Sequence, residues 1–391
     1  MQVVKAVSQK YVPSPETFVL LEEFRKMVND CIRIGLVEKV TSKQSLAKKA
    51  YRQLAKYKVP TYYRLSASSK AVGIISNYRK TLKKQPDAKK PLATKQMLTD
   101  CYGFRIMGNH IRMPISKTKG VYIKLNKHTL AVISGYTVRS VTLTTCTIAI
   151  AFSKETVVID PKGLIGIDRN LDNITTATMD GETQVYDLAK ATKTKMVYRE
   201  VKSHFKRNDV RIRKRIFGKY GRKQRNKVQP ILHNVSKQIV EKAKKEHLGI
   251  AMENLTGIRK LYRKGNGQSK DYRAKLNGWS FYELQRQIEY KAKWSGIPVI
   301  YVPAAKTSSV CSICGCEVSE CTERKVYCFK CNRLMDRDEN AALNIVRAGV
   351  RFALKGEASE VMKGNPEKVI LRADASQLTH HPKVNTVGYH P

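Results

Sequence analysis

A chain of 391 residues with 42% hydrophobic residues is long enough for two or three domains with true cores, which excludes a polybasic tail. Lys and Arg number 74 against 32 Asp and Glu, giving a formal net charge of +42 spread along the whole length. With 19 Tyr and no run approaching the ~18 apolar residues of a membrane span, that field favours nucleic acid over an anionic membrane or a merely soluble surface.

The first residues, MQVVKAVSQKYVPS, lack the apolar core and cleavage site of a secretory signal, which predicts a cytosolic protein. Residues 1–12 read as a strand. From Ser14 the period becomes helical: in PETFVLLEEFRKMVNDCIRIGL the apolar Phe18, Leu21, Phe24, Met27, Val28 and Cys31 recur at three and four. SKQSLAKKAYRQLAKY and SASSKAVGIISNYRKTLKK predict two more helices around the loop KVPTYY, so that 14–100 reads as a basic helical lobe. From Cys101 the period is two. IRMPIS, GVYIKLN, TLAVISG, YTVRSVTLTT and CTIAIAFS predict the antiparallel strands of a small β-barrel over 101–158, to which 1–13 adds a first strand.

After Pro161, GLIGID predicts a buried strand and NITTATMDGETQVYD a hairpin turning at Asp180 and Gly181. Residues 198–227 predict a strongly basic helical hairpin broken around Gly218 and Gly221. ILHNVSKQIVEKAKKEH, SFYELQRQIEYKAKWSG and NAALNIVRAG predict helices, with LGIAMEN and IPVIYV as strands between them. Strands alternating with crossover helices indicate an α/β layer over 159–305 that resumes at 333–350. Beyond Arg351 periodicity is lost, and 351–391 reads as a flexible tail.

Six of the nine cysteines lie between 311 and 331, which in a reducing compartment points to zinc instead of disulfides. Cys311 with Cys314 and Cys328 with Cys331 form two C-x-x-C knuckles able to complete a tetrahedron at about 2.3 Å per Zn–S bond. Four thiolates close the site, so the zinc of this ribbon, 306–332, is structural. Cys316 and Cys321 are surplus, and the isolated Cys31, Cys101 and Cys146 read as small core residues.

Three carboxylates stand out against so basic a background. Asp168 ends GLIGID, Glu253 ends LGIAME, and Asp338 precedes the helix NAALNIVRAG. Taken singly, Asp338 reads as a helix N-cap, Asp168 as a partner of Arg169, and Glu253 as a strand-edge residue. Taken together at the ends of α/β strands they suit Mg²⁺, a hard cation that two carboxylate-held ions can use to hydrolyse a phosphodiester.

IGIDRNLDNITT, then His233, Ser236, Ile239 and Val240 as H-x-x-S-x-x-I-V before AMENL, then KTSSVCSICG and C-x-x-C-x-x-x-x-D-R-D-E-N-A-A, resemble in that order the insertion-sequence TnpB family. These are compact RNA-guided nucleases related to type V CRISPR effectors. The resemblance is dense over about 160–347 and rests on architecture alone over 1–158. It implies an α/β multidomain protein: an RNase H-like (RuvC-type) nuclease domain with an inserted zinc ribbon, a helical recognition lobe and a wedge-like β-barrel. Asp168, Glu253 and Asp338 would hold two catalytic Mg²⁺ ions, with Asp336 in a supporting place beside them. The family further implies a guide RNA from the transposon end, double-stranded target DNA beside a short flanking motif, and a single chain bound to its RNA in the prokaryotic cytoplasm, on the nucleoid when engaged.

On that reading Ser69, Lys70, Ser76, Asn77 and Lys80, polar positions of the helix at 66–83, contact the flanking duplex. Arg211, Arg213, Lys214, Arg215, Arg222 and Lys223 grip RNA or DNA backbone. Trp279, Phe281 and Tyr282, at helical spacing with Leu284 and Ile288, read as core in preference to base-stacking residues. The alternatives are a miniature type V CRISPR effector, a guide-directed repressor that binds without cutting, and a zinc-ribbon binder whose carboxylates only cap and pair.

Overall fold

In a computed structural model, which describes residues 1–354 apart from 41, 117, 206, 207 and 264, the chain divides between Glu155 and Thr156 into two units. The first contains β1 (Gln2–Lys10), α1 (Pro15–Val37), α2 (Lys43–Ala50), α3 (Tyr62–Leu82), β2 (Met97–Asp100), β3 (Arg105–Met107), β4 (His110–Pro114), β5 (Gly120–Lys124), α4 (Lys127–Ile133), β6 (Thr137–Thr144) and β7 (Thr147–Glu155). Ser14 caps α1 by accepting from the Thr17 amide, with Pro15 in the first turn. The α1 stripe Leu20, Leu21, Phe24, Met27, Val28 and Cys31 is buried, and Phe24 meets Tyr63 of α3 edge to face, ring centroids 6.3 Å apart. Phe18, expected in that stripe, is exposed. Six residues before Phe24, it lies about 120° around the helix from the inward face.

Several sequence expectations for this unit change. Tyr62 and Tyr63, read as loop, begin α3. TLAVISG is mostly helix, not strand: the Asn126 carboxamide accepts from the Thr129 amide at 2.7 Å and nucleates α4. The strands form a four-stranded antiparallel sheet in the order β1-β7-β6-β2 and a separate sheet β3-β4-β5, so the expected barrel is two sheets and not one closed ladder. Nor does the chain divide at residue 100, because helices and strands interlock. The Tyr63 hydroxyl, for example, donates to the Pro114 carbonyl of β4 at 2.8 Å. Cys31 is buried as expected, whereas Cys101 and Cys146 are exposed.

The second unit continues with β8 (Gly163–Arg169), β9 (Asn173–Thr178), β10 (Thr183–Asp187), α5 (Ala189–Ser203), α6 (Gly218–Lys245), β11 (Leu248–Asn254), α7 (Lys270–Gly278), α8 (Phe281–Trp294), β12 (Val299–Pro303), β13 (Ser319–Glu320), β14 (Lys325–Cys328), β15 (Arg333–Asp336) and α9 (Arg337–Leu354). Five strands form one sheet in the order β10-β9-β8-β11-β12. β10, β9 and β8 are antiparallel, and β11 runs parallel to both β8 and β12. Strand alternation gives the sheet two apolar faces. Ile165, Ile167, Ile250 and Met252 pack on Val235 and Ile239 of α6 and on Leu284 and Ile288 of α8. Leu164, Ala251 and Val302 pack on Ala342, Ile345 and Val346 of α9. At Gly166 the helix rests backbone to backbone on β8: an added Cβ would collide with the Ala342 carbonyl oxygen.

The break in the basic helical hairpin falls before residue 210, not at Gly218 and Gly221. Asp209 Oδ1 accepts from the Arg211 and Ile212 amides at 2.7 and 3.2 Å and starts a new helix. Its π-turn at Ile212–Phe217 runs directly into α6; glycine weakens a helix without ending it. Arg351 to Leu354, assigned from sequence to the tail, are the last residues of α9, and the rest of that segment lies outside the described residues. Between β12 and α9 the three strands β13, β14 and β15 form a small antiparallel sheet that carries the cysteines. No described helix is long and apolar enough to cross a membrane.

Candidate functional site

β8 and β11 run in parallel with Ile167 opposite Met252, so Asp168 and Glu253, one position further, leave the sheet side by side on its α9 face. Asp168 and Glu253 are 8% and 9% exposed, and Asp338, in the first turn of α9, is 5% exposed. Burial and the neighbouring Glu253 carboxylate push Asp168 up to about 7, and Asp338 adds to the rise. Asn170, donating to Asp168 Oδ2 at 2.7 Å, and the Arg324 charge oppose it. Hard oxygen donors held in this strained state fit a divalent cation, which relieves both burial and repulsion. The three carboxylates nevertheless stand wider than the thiols described below. Among the described residues only the thiols form a group of three or more ligand atoms within 4.8 Å of one another.

What lies against Asp338 is an arginine that sequence reasoning missed. Glu323 and Arg324 both take positive φ, 57° and 62°, in the tight turn between β13 and β14. From that tip Arg324 Nε donates to Asp338 Oδ2 at 3.1 Å, while Nη2 donates to Asp338 Oδ1. Nη2 also reaches Asn170 Oδ1 at 3.0 Å. Asn173 Nδ2 donates to Asp338 Oδ2 at 3.4 Å, and the Thr307 hydroxyl donates to Glu253 Oε1.

Two roles assigned from sequence change. Asp338 is not the cap of α9; Asp336 is, its Oδ1 accepting from the Asp338 and Glu339 amides at 2.9 and 3.1 Å. The spacing Asp336-x-x-Glu339 is a capping-box signal that could have found it. Arg169 does not pair with Asp168. It donates to the Glu253 carbonyl oxygen and to Gln285 Oε1, the latter at 2.7 Å.

The four expected thiols converge. Cys311 and Cys331 Sγ lie 3.9 Å apart and Cys314 and Cys328 Sγ 3.5 Å apart, bracketing the edge of about 3.8 Å that a tetrahedron with 2.3 Å Zn–S bonds requires. Each knuckle turns through a left-handed residue just past its second cysteine, Gly315 at φ 77° and Asn332 at φ 50°. The Cys316 amide holds the Cys314 thiol down to about 6, on the way to the thiolate that a metal needs. Cys321 is exposed, and neither it nor Cys316 belongs to the group.

Of the residues expected to touch nucleic acid, Ser69, Ser76, Asn77 and Lys80 are exposed on α3, and so are Arg211, Arg213, Lys214, Arg215, Arg222 and Lys223 along the second basic helix. Lys70 is partly buried, and its ammonium donates to the Met97 carbonyl at 2.7 Å, so the protein itself employs that charge. Trp279 donates from Nε1 to the Asn170 carbonyl at 2.7 Å, beside the carboxylates. Phe281 is core, whereas Tyr282 is exposed, contrary to the reading that grouped it with Leu284.

Comparison with known proteins gives consistent matches. Residues 281–345 match the family described as Cas12f1-like, TNB domain. The TnpB-like protein MJ0751 of Methanocaldococcus jannaschii is 34% identical over 213 residues, 51% of this chain and 74% of that protein. The CRISPR-associated endodeoxyribonuclease Cas12f2 of a Micrarchaeota archaeon is 35% identical over 138 residues, 32% of this chain but only 25% of the relative. The fold resembles that of the Cas12f1 chain in a Cas12f1–sgRNA–target DNA complex, with a TM-score of 0.61 at 16% identity over 85% of this chain and 83% of that one.

Proposed function

The chain belongs to the TnpB family, and we propose that it is an RNA-guided DNA endonuclease whose second unit is an RNase H-like (RuvC-type) domain hydrolysing target-DNA phosphodiesters. The observation that carries this reading is the juxtaposition of Asp168 and Glu253 on parallel strands with Asp338 at the start of α9, close enough that Glu253 and Asp338 both raise the Asp168 pKa. Asp168, Glu253 and Asp338 are the residues that would hold Mg²⁺, which when bound supplies an activated water and charge stabilisation at the leaving oxygen.

The rest of the site orders those carboxylates and receives the strand. Asp336 fixes the first turn of α9 and with it the Asp338 backbone. Thr307 holds one oxygen of Glu253, and Asn170 one oxygen of Asp168. Arg324 presents a planar fork of donors of the kind that fits two phosphate oxygens, at the mouth of the site. The four-cysteine ribbon, closed by one structural Zn²⁺, carries that arginine. Lys80, exposed on α3, and the exposed cations of residues 211–223 suit the backbones of guide RNA and target DNA. The Cas12f1-like match and the Cas12f2 relative support a second reading, a miniature type V CRISPR effector; a repeat array instead of a transposon end beside the gene would favour it.

The test is to purify the protein with the RNA it retains, sequence that RNA, and offer a plasmid library carrying the matching target beside randomised flanks with Mg²⁺. Cleavage restricted to matched targets beside one flank, and lost in Asp168→Ala, is the expected result. Cleavage without regard to the guide, or cleavage that survives Asp168→Ala, would overturn it. Retained RNA with binding but no cleavage beside any flank would leave a guide-directed repressor.

A further inference from the structure

β9 carries a second row of polar side chains on the face where the carboxylates stand. In the antiparallel ladder Thr175 is the residue opposite Asp168, and directly opposed side chains share a face, with Cβ atoms about 5 Å apart. Asn173, two positions before, and Ala177, two positions after, lie on that face too. Ala177 packs in one cluster with Ala342 of α9, and Asn173 donates from Nδ2 to Asp338 Oδ2 at 3.4 Å. Thr175, between them, therefore lies under the first turns of the helix, and it is 0% exposed.

Two oxygens of this row, the Thr175 hydroxyl and Asn173 Oδ1, are closed off from solvent and have no hydrogen-bond partner among the described residues. The Asn173 carboxamide cannot be turned to cure this, because its oxygen would then face the Asp338 carboxylate. A buried unpaired hydroxyl destabilises the fold, and valine, of nearly the same shape, would fill the place without that penalty. Two such atoms beside the carboxylates call for a partner that the folded chain does not itself supply. On the nuclease reading above, on which this inference rests, the partner is at hand. Mg²⁺ and Mn²⁺ keep several waters when carboxylates hold them. The carboxylate oxygens here do not gather within 4.8 Å of one another, among the described residues a property of the four thiols alone, so water completes the shell. Ion-bound water donates hydrogen bonds; Asn173 Oδ1 can only accept, and the Thr175 hydroxyl can accept as well as donate. We infer that Thr175 and Asn173 are positioning residues of the divalent-cation site, their free oxygens accepting hydrogen bonds from water carried by the ion that Asp168, Glu253 and Asp338 hold.

The experiment measures Mn²⁺ binding to the full, zinc-loaded chain free of nucleic acid, from the electron paramagnetic resonance of the free ion, beside thermal unfolding of the same samples without Mn²⁺. Thr175→Val is expected to weaken Mn²⁺ binding about tenfold while unfolding ~2–4 °C higher, since a buried unpaired hydroxyl is gone. A side chain that only supports the fold would not move the two readouts in opposite directions. Thr175→Ser, which keeps the oxygen, should retain the affinity, and Asn173→Ala should lose about tenfold. Unchanged Mn²⁺ affinity in Thr175→Val, or a lower unfolding temperature, would overturn the role of Thr175; unchanged affinity in Asn173→Ala would overturn that of Asn173. The nuclease reading fails separately. Mn²⁺ binding that is lost in Asp168→Ala but indifferent to both β9 variants leaves the carboxylate site standing and removes the water contacts alone. Mn²⁺ binding that survives Asp168→Ala removes the site, and this inference with it.

Discussion

Arg324 and Asp338 are joined through two donors and two acceptors, Nε to Oδ2 at 3.1 Å and Nη2 to Oδ1, so in the absence of metal one carboxylate of the site already has a cation against it. A divalent ion at Asp338 must displace or share that contact. The Arg324 side chain is 55% exposed, so the pair is screened and worth about 0–1 kcal/mol. Arg324→Ala should therefore tighten Mn²⁺ binding by the nucleic-acid-free protein by up to about fivefold, read from the electron paramagnetic resonance of free Mn²⁺. Cleavage by the same variant should fall, because the donor fork for phosphate is gone. Weaker Mn²⁺ binding in the variant would mean that Arg324 supports the ligand instead of competing for it.

Asp168 gives the site a pH signature. Its pKa is raised from 3.8 to about 7 by burial and by Glu253, so the folded chain binds a proton that the unfolded chain has released. The associated stability is complete below about pH 4 and is lost as pH rises through about 7. In zinc-loaded, Mg²⁺-free protein, Asp168→Asn should unfold at higher temperature than the unsubstituted chain at pH 8, and the two should converge near pH 4. A difference that does not change with pH would mean that Asp168 is not protonated in the folded state.

The seating of α9 on β8 is equally open to test. A methyl at Gly166 would run into the Ala342 carbonyl oxygen and come within 2.8 Å of the Val346 amide nitrogen, backbone atoms that cannot swing aside. Gly166→Ala should cost about 1–3 kcal/mol in urea unfolding. Because the helix carrying Asp338 is lifted from the strand carrying Asp168, cleavage should fall further than stability alone explains. Full activity in Gly166→Ala would show that the helix can shift without disturbing the carboxylates.

Why some of this was legible in the sequence and some was not follows from the range of each interaction. Asp168 and Glu253 could be found because each ends a short apolar run, and strand ends gather sites in α/β sheets. The cysteine knuckles and the turn at Asp180 and Gly181 are local signals. TLAVISG misled because its β-branched residues suggest a strand, while the deciding feature is the Asn126 cap just before it. Phe18 misled because one residue at i+3 spacing was counted without checking its angle to the whole stripe. Arg324 carries no local mark at all. Its importance comes from the hairpin folding back across 14 residues onto Asp338, a contact that spacing alone does not encode.

The ribbon and α9 should fail together, because a row of polar side chains joins them. Asn340, 1% exposed, accepts from the Ser312 amide at 2.7 Å and donates to the Val310 carbonyl at 2.8 Å. One turn on, Asn344 donates to the Thr307 and Val310 carbonyls at 2.9 and 2.8 Å, and Arg347 reaches the Ile313 carbonyl at 3.3 Å. The first cysteine knuckle is thus held by the same helix that carries Asp338. Asn340→Ala leaves the buried Ser312 amide without a partner, a loss of about 1–3 kcal/mol. It should release zinc faster to a colorimetric chelator and lose cleavage in parallel. Cys316→Ser and Cys321→Ser, outside the thiol group, should change neither rate. Fast zinc release from Asn340→Ala with cleavage intact would show that the ribbon and the carboxylates work independently; slow release with cleavage lost would place Asn340 in the chemistry of the site instead of in its scaffold.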